Sequence, residues 1–245
     1  MNFYYEIKKG KFMKPAIEVV NLEKKKGKKR ILHNINFNIH QGEVVGFLGA
    51  NGAGKTTTLK CIMGLYDYEG TIEVLGQDIK KEHEEVCKKI NGLIEEPCFY
   101  PYLSGMQNLT IHAMYYDKIK KKKIKEVISL LKMEEFIRDK VKSYSLGMKQ
   151  RLGIALALIN EPDIILLDEP MNGLDPDGIR ELRELLKKMA HQDNKAIFVS
   201  SHILSEMQML CDRVIFIQKG KIVGNESVGK NLEEQYMTIM GGEQR

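Results

Sequence analysis

Gly49–Thr57 reads GANGAGKTT and fits the pattern G-x-x-x-x-G-K-[ST], with Gly49, Gly54, Lys55 and Thr56 on its fixed positions. The pattern has chemical meaning only between a strand and a helix, and the flanking sequence supplies both. Glu43–Leu48 (EVVGFL) is a short apolar run, as a buried parallel strand requires. Thr56–Leu65 (TTTLKCIMGL) has apolar residues at helical spacing. Glycines let the backbone curl until successive N–H groups point at an anion. The helix N-terminus adds its partial positive charge. Lys55 is expected to bring a full charge to the β- and γ-phosphates of a nucleotide, and Thr56 a hydroxyl to Mg²⁺. Asn51, Gly52 and Thr57 complete the candidate nucleotide-binding set. A chance glycine-rich turn would not carry both flanking elements.

The whole chain has 245 residues, room for one large domain or two small ones, and its 43% hydrophobic content supports a sizeable core. The formal charge of +5 is spread along the chain, so no nucleic-acid partner is expected. Cys61, Cys87, Cys98 and Cys211 form no C-x-x-C pair, which favours reduced thiols over disulfides or zinc. No apolar run reaches the roughly 18 residues of a membrane span, so any membrane role is expected to run through a partner.

Outward from the phosphate loop, Ile17–Leu22 reads as a strand, Lys24–Arg30 as a basic turn around Gly27, and Ile31–Ile39 as a half-exposed antiparallel strand. Gly70–Val74 with Gln77–Ile79 reads as a hairpin, Glu82–Lys89 as a helix and Ile90–Ile94 as a strand. From Glu96 to about residue 155 the character turns helical, with patterns at Ile111–Tyr116, Ile124–Met133 and Met148–Ile159. This is expected to be an insertion into one α/β core. The basic run Lys118–Lys125 carries isoleucines at helical spacing and reads as the solvated face of an amphipathic helix rather than a nucleic-acid patch. Asp163–Leu167 and Lys195–Ser200 then read as buried strands around a helix Pro176–Ala190. Val214–Gln218 and Lys221–Val223 form a last hairpin. The expected division is a non-native or disordered extension over 1–14, with Met13 as the biological start, a nucleotide-binding domain over 15–230, and a short tail over 231–245.

Ile164–Pro170 reads IILLDEP: an apolar strand ending in two adjacent carboxylates. Parallel α/β sheets bind ligands at that edge. Asp168 suits the shell of a Mg²⁺ ion, and Glu169 the polarisation of an attacking water. The pair could instead cap a following helix, a reading that the nearby phosphate loop disfavours.

These stretches together resemble the nucleotide-binding subunit of ABC transporters over roughly residues 15–224. Gly49–Thr57 matches that family's phosphate loop, Asp168-Glu169-Pro170 its second motif, and Asn172-Gly173-Leu174-Asp175 the loop that follows, with Asp175 in the dimer-contact position. Ser200-Ser201-His202 matches its switch histidine, which implies a γ-phosphate contact for His202. The implied fold is a P-loop NTPase core: a mostly parallel sheet, an antiparallel β subdomain and an inserted helical subdomain. The implied activity is ATP hydrolysis with Mg²⁺. The implied assembly is a head-to-tail dimer with a second copy, seated through a membrane permease on the cytoplasmic face of a bacterial cell membrane.

The sequence departs from the family pattern in three places. The signature reads YSLGM at Tyr144–Met148; Ser145 and Gly147 are retained, and they are expected to face nucleotide on the other subunit. The loop joining core to insertion carries Glu95 where glutamine is usual, and Glu95 is expected beside the metal. With Pro97, Tyr100 and Pro101 following, it resembles the bacitracin-resistance and lantibiotic-immunity branch, which exports antimicrobial peptides. Lys26 stands before Gly27 where an aromatic residue usually stacks on the base. Two alternatives stay open at this stage. A soluble ABC ATPase acting on ribosomes or DNA usually has paired domains or a long coiled coil, and an importer motor often has a longer C-terminal segment.

Overall fold

The computed structural model describes residues 7–8, 11–12, 14–95, 97–116 and 119–241. Two sheets carry the fold. The first is antiparallel, built from β3 (Ile17–Lys26), β4 (Lys29–Ile39), β6 (Glu69–Val74) and β7 (Gln77–Asp78) in the order β4-β3-β6-β7. The second contains β5 (Val44–Leu48), β8 (Ile90–Leu93), β9 (Ile164–Asp168), β10 (Ala196–Ser201), β11 (Arg213–Gln218) and β12 (Lys221–Ser227). Its order is β12-β11-β5-β10-β9-β8, and every neighbouring pair is parallel except β11 with β12. β1 (Ile7–Lys8) and β2 (Lys11–Phe12) pair antiparallel within the segment expected as an extension, most of which lies outside the described residues.

Alternation along the parallel strands divides the interior in two. Val45 and Phe47 of β5, Ile164 and Leu166 of β9, and Ala196 and Phe198 of β10 face one core, shared with the antiparallel sheet. Val44, Leu48, Ile165, Leu167, Ile197 and Val199 face the other, shared with the helices. A strand covered on both faces has no polar side to show, which is why β5 and β9 are buried throughout. Phe47 and Phe198, with ring centroids 5.1 Å apart, pack with Phe37 at the centre of the first core. Truncating a ring so placed typically costs about 3–5 kcal/mol.

Three helices and a 3₁₀ turn lie between β8 and β9: α3 (Gly105–Ala113), α4 (Lys121–Leu130), Val141–Ser143 and α5 (Leu146–Leu158). In α4, Ile124, Val127 and Ile128 are buried while Lys121, Lys122 and Lys125 are exposed, the amphipathic arrangement expected of the basic run. The other helices are α1 (Lys55–Ile62), α2 (His83–Cys87), α6 (Pro176–His191), α7 (Leu204–Leu210) and α8 (Leu232–Gly241).

Some local expectations change. The basic stretch Lys24–Arg30 is mostly strand, with only Gly27 and Lys28 in the turn, because cross-strand pairing of Lys26 with Lys29 continues the ladder. Strand β4 does not alternate simply: Asn34 has φ 50°, and the bulge there moves burial from Leu32 to Ile35. Helix α7 follows directly on β10 and was not anticipated.

Candidate functional site

Sheet register brings the candidate residues together. Leu48 pairs with Ser201, and Ser200 pairs with Asp168. The phosphate loop after β5, Glu169 after β9 and His202 after β10 therefore leave the sheet side by side, at the carboxyl edge where such sheets bind ligands. Gly54 caps α1 with φ 116°, a conformation L residues rarely adopt. At Gly49 a Cβ would lie 2.3 Å from the Ile217 carbonyl, so the loop passes hard against β11.

Lys55 is only 6% exposed. Its ammonium donates to the carbonyls of Gly49 at 2.7 Å and Ala50 at 3.4 Å, and stands 3.3 Å from a Glu169 carboxylate oxygen. The Thr56 hydroxyl donates to Asp168 Oδ2 at 2.6 Å. The Ser200 hydroxyl donates to Asp168 Oδ1 and accepts the Glu169 N–H at 3.0 Å. Glu169 itself has φ 48°, a strain of about 1–3 kcal/mol, held partly by that N–H bond. His202 Nδ1 lies 2.9 Å and 3.1 Å from the two Glu169 carboxylate oxygens. The Glu169 carboxylate thus sits between an ammonium and an imidazole, while Asp168 is fixed by two hydroxyls.

Two supporting residues carried no assigned role in the sequence reading. Ser200 orients the Asp168 carboxylate and holds the Glu169 backbone; the paired serines before His202 were the available signal. Gln150, buried on α5, donates to the Pro170 carbonyl at 2.9 Å and ties the insertion to the two-carboxylate turn. Nearby, the Ser201 hydroxyl donates to Glu206 at 3.2 Å, and burial, with Glu169 adding to it, holds the Glu206 carboxyl above the usual carboxylate range.

The remaining predicted residues make no side-chain hydrogen bond to this cluster among the described residues. Ser145 caps α5: its hydroxyl accepts the Met148 N–H at 3.2 Å, which leaves its own proton to donate outward. Leu146 is 58% exposed and lies against Gly173, where a Cβ would come 2.4 Å from its Cγ. Gly147 packs on the Gly173 carbonyl. Asp175 caps α6 by accepting the Gly178 N–H at 3.1 Å. Among the described residues neither Ser145 nor Asp175 bonds to the Lys55–Glu169 cluster. Asn51 and Gly52 lie exposed in the loop, and Thr57 is half-buried in α1. Glu95 is bonded elsewhere, to Lys60 at 2.7 Å, although it lines with Asp168 and Glu169 a groove of about 580 Å³ that also touches Pro97, Phe99 and Leu146. Lys26 is exposed at the end of β3.

The oxygen set suits a hard cation. A hydroxyl and a carboxylate meet at Thr56 and Asp168, and no group of three or more His, Cys, Asp or Glu able to hold a metal occurs among the described residues. Mg²⁺ takes one or two protein oxygens and completes its shell with phosphate and water.

Residues 32–172 match the family model described as ABC transporter. The chain is 45% identical over 224 residues to the ABC transporter ATP-binding protein YhcH of Bacillus subtilis, covering 91% of this chain and 73% of that protein. It is 42% identical over 212 residues to the bacitracin transport ATP-binding protein BcrA of Bacillus licheniformis, covering 86% of this chain and 69% of that one. It is 40% identical over 223 residues to the lantibiotic transport ATP-binding protein SrtF of Streptococcus pyogenes, covering 90% and 95%. Among solved structures, the ATP-binding subunit of an ABC transporter superposes with a TM-score of 0.83 at 27% identity, covering 92% of this chain and 99% of that one. A dimeric ATP-binding cassette in a post-hydrolysis state with ADP and Pi superposes with a TM-score of 0.79 at 28% identity, covering 88% and 100%.

Proposed function

This chain belongs to the ABC transporter family as an ATP-binding subunit, and we propose that it is the ATP-hydrolysing motor of an exporter of antimicrobial peptides. The observation that carries the proposal is the meeting of Lys55, Thr56, Asp168, Glu169 and His202 at one sheet edge. The bacitracin and lantibiotic relatives favour export over the ribosome, DNA and importer alternatives. No helix among the described residues is long and apolar enough to cross a membrane; in this reading a separate permease would provide the path for substrate. That permease would hold the subunit at the cytoplasmic face of the membrane.

The phosphate loop, Gly49 to Thr57, binds the ATP phosphates through backbone N–H groups and the Lys55 ammonium. Thr56 and Asp168 would hold Mg²⁺, which would supply positive charge against the nucleotide phosphates. Water attacks the γ-phosphorus, the bond to the bridging oxygen breaks, and the electron pair leaves on ADP. Glu169 orients that water and draws on its proton, while His202 holds the carboxylate through Nδ1; meeting the γ-phosphate through Nε2 at the same time requires a proton on both ring nitrogens. Ser145 and Gly147 of a second copy close over the nucleotide, with Asp175 at the contact between copies. Binding thus closes a head-to-tail dimer and hydrolysis reopens it.

Glu95 lies between the core and the insertion, bonded to Lys60, and would have to leave that lysine to ligate a Mg²⁺ ion held at Thr56 and Asp168. Glu95→Gln is therefore expected to leave ATP binding by the isolated subunit within about threefold, because the phosphate loop makes most contacts. Peptide resistance of cells carrying the cognate permease should fall further than ATPase activity. Glu95→Ala should lower both more, since no oxygen remains. Full ATPase activity and full resistance in both variants would refute the coupling role and, with it, the main functional use of this loop.

Lys26 offers a stem rather than a ring to the base. Base stacking on aromatics is worth roughly 1–3 kcal/mol where measured in nucleic-acid complexes. Competition of GTP against ATP for the purified protein should show preference for ATP below about tenfold. Strong exclusion of GTP would show that other residues read the base.

A further inference from the structure

The ion pair between Lys60 and Glu95 joins two elements whose relative position the proposed mechanism must change. Lys60 lies on α1, four residues beyond Thr56, so the two side chains share one face of the helix about 6 Å apart along its axis. Its ammonium is 2.7 Å from Glu95, and the lysine side chain is only 16% exposed. The same ammonium stands 5.1 Å from the Tyr66 ring centroid and 3.4 Å from the Tyr66 hydroxyl, so one aromatic shelf fixes where the charge sits. Lys24 lies on the same ring at 5.2 Å, and bonds to the Asp67 carbonyl. The hydrogen bond to Glu95 holds the Lys60 ammonium above its ordinary range against a smaller opposing effect of burial, so it is charged at neutral pH. On the other side, Glu95 has φ 63° and is among the residues lining the groove that reaches Asp168 and Glu169.

An amide at position 95 would bind an ammonium weakly; a carboxylate binds it well and is also a better ligand for a hard cation. Glutamate in place of the usual glutamine therefore gives the loop two competing attachments, and Lys60 is the one built into α1. We propose that Lys60 is a positioning residue that tethers the Glu95 loop to α1 in competition with the metal–phosphate site, so that the strength of this ion pair sets how readily the loop is released towards that site. This inference rests on the reading of the Lys55–Asp168 cluster as the Mg²⁺-nucleotide site.

The test uses the full chain with Lys60→Met, Lys60→Arg, Glu95→Gln and the double variant Lys60→Met/Glu95→Gln. Methionine keeps the unbranched apolar stem that packs beside Tyr66 and removes the charge. In protein without nucleotide, amide hydrogen exchange over residues 93–99 should rise about two- to fivefold in Lys60→Met, the scale of a partly exposed ion pair. It should rise equally in Glu95→Gln and no further in the double variant, while Lys60→Arg stays at the wild-type rate. In titrations with a fluorescent ATP analogue, Lys60→Met should reach half-maximal binding at about two- to fivefold lower Mg²⁺, and this gain should vanish in the Glu95→Gln background. A merely structural lysine would give additive changes in the double variant, or changes spread over all of α1, and either result overturns the tether. Unchanged exchange and unchanged Mg²⁺ dependence in Lys60→Met overturn it as well. Wild-type protein that binds the analogue normally isolates such a failure to Lys60; wild-type protein that does not bind it overturns the nucleotide-site reading and the tether together.

Discussion

Replacement of Lys55 by alanine is expected to weaken ATP binding by about 100-fold or more and to abolish turnover at ordinary ATP concentrations. The lysine is the full positive charge inside the phosphate loop, and it is buried. Charge-assisted hydrogen bonds are worth about 1.5–3 kcal/mol each, and every 1.4 kcal/mol is about tenfold. The substitution also removes the donor from the Gly49 and Ala50 carbonyls and the counter-charge from Glu169. Lys55→Met separates the two effects. It retains most of the buried stem, so its melting temperature should exceed that of Lys55→Ala, while its ATP binding should be no better. Isothermal titration with Mg²⁺ and ATP, beside a thermal melt of each variant, makes the comparison. ATPase activity equal to wild type in Lys55→Ala would remove the nucleotide site from this loop.

The part of this site that could be read in the sequence is the part made by contiguous residues. GANGAGKTT specifies its own backbone shape because its glycines are needed at fixed places, and IILLDEP announces a buried strand with carboxylates at its end. The strand appears within one residue of its expected bounds, and the helix after the phosphate loop starts within one residue and ends three residues early. What depends on register could not be read. That Ser200 would bridge Asp168 and Glu169 follows from β10 lying beside β9 with Ser200 opposite Asp168, a pairing of segments some thirty residues apart. The partner of Glu95 was hidden for a related reason. Lys60 is an unremarked lysine in a helix, and only the fold turns it towards a loop that is distant in sequence. Strand β4 shows a third limit: simple alternation from Ile31 to Ile39 places the wrong residues inside until the bulge at Asn34 resets the pattern.

Glu169→Gln is expected to separate binding from hydrolysis. Glutamine matches glutamate in size and tolerates the same φ of 48°, so the turn after β9 and its N–H bond to Ser200 should persist. The carboxylate charge that meets Lys55 and His202 is lost, and with it the group that orients and deprotonates water. General-base contributions are typically about 10²–10⁴-fold, and turnover should fall by that factor while ATP affinity stays within a few-fold. Because the phosphate loop, Thr56 and Asp168 are untouched, ATP should remain bound long enough to hold two copies together. The dimer would appear as a doubled mass in size-exclusion chromatography with ATP and Mg²⁺, and would revert to monomer on replacement of ATP by ADP. Runs at several protein concentrations distinguish an ATP-dependent dimer from one driven by concentration alone. A Glu169→Gln protein that hydrolyses ATP at the wild-type rate would show that Glu169 does not activate the water. One that binds ATP yet stays monomeric at every concentration would show that closure over two nucleotides is not how this subunit works.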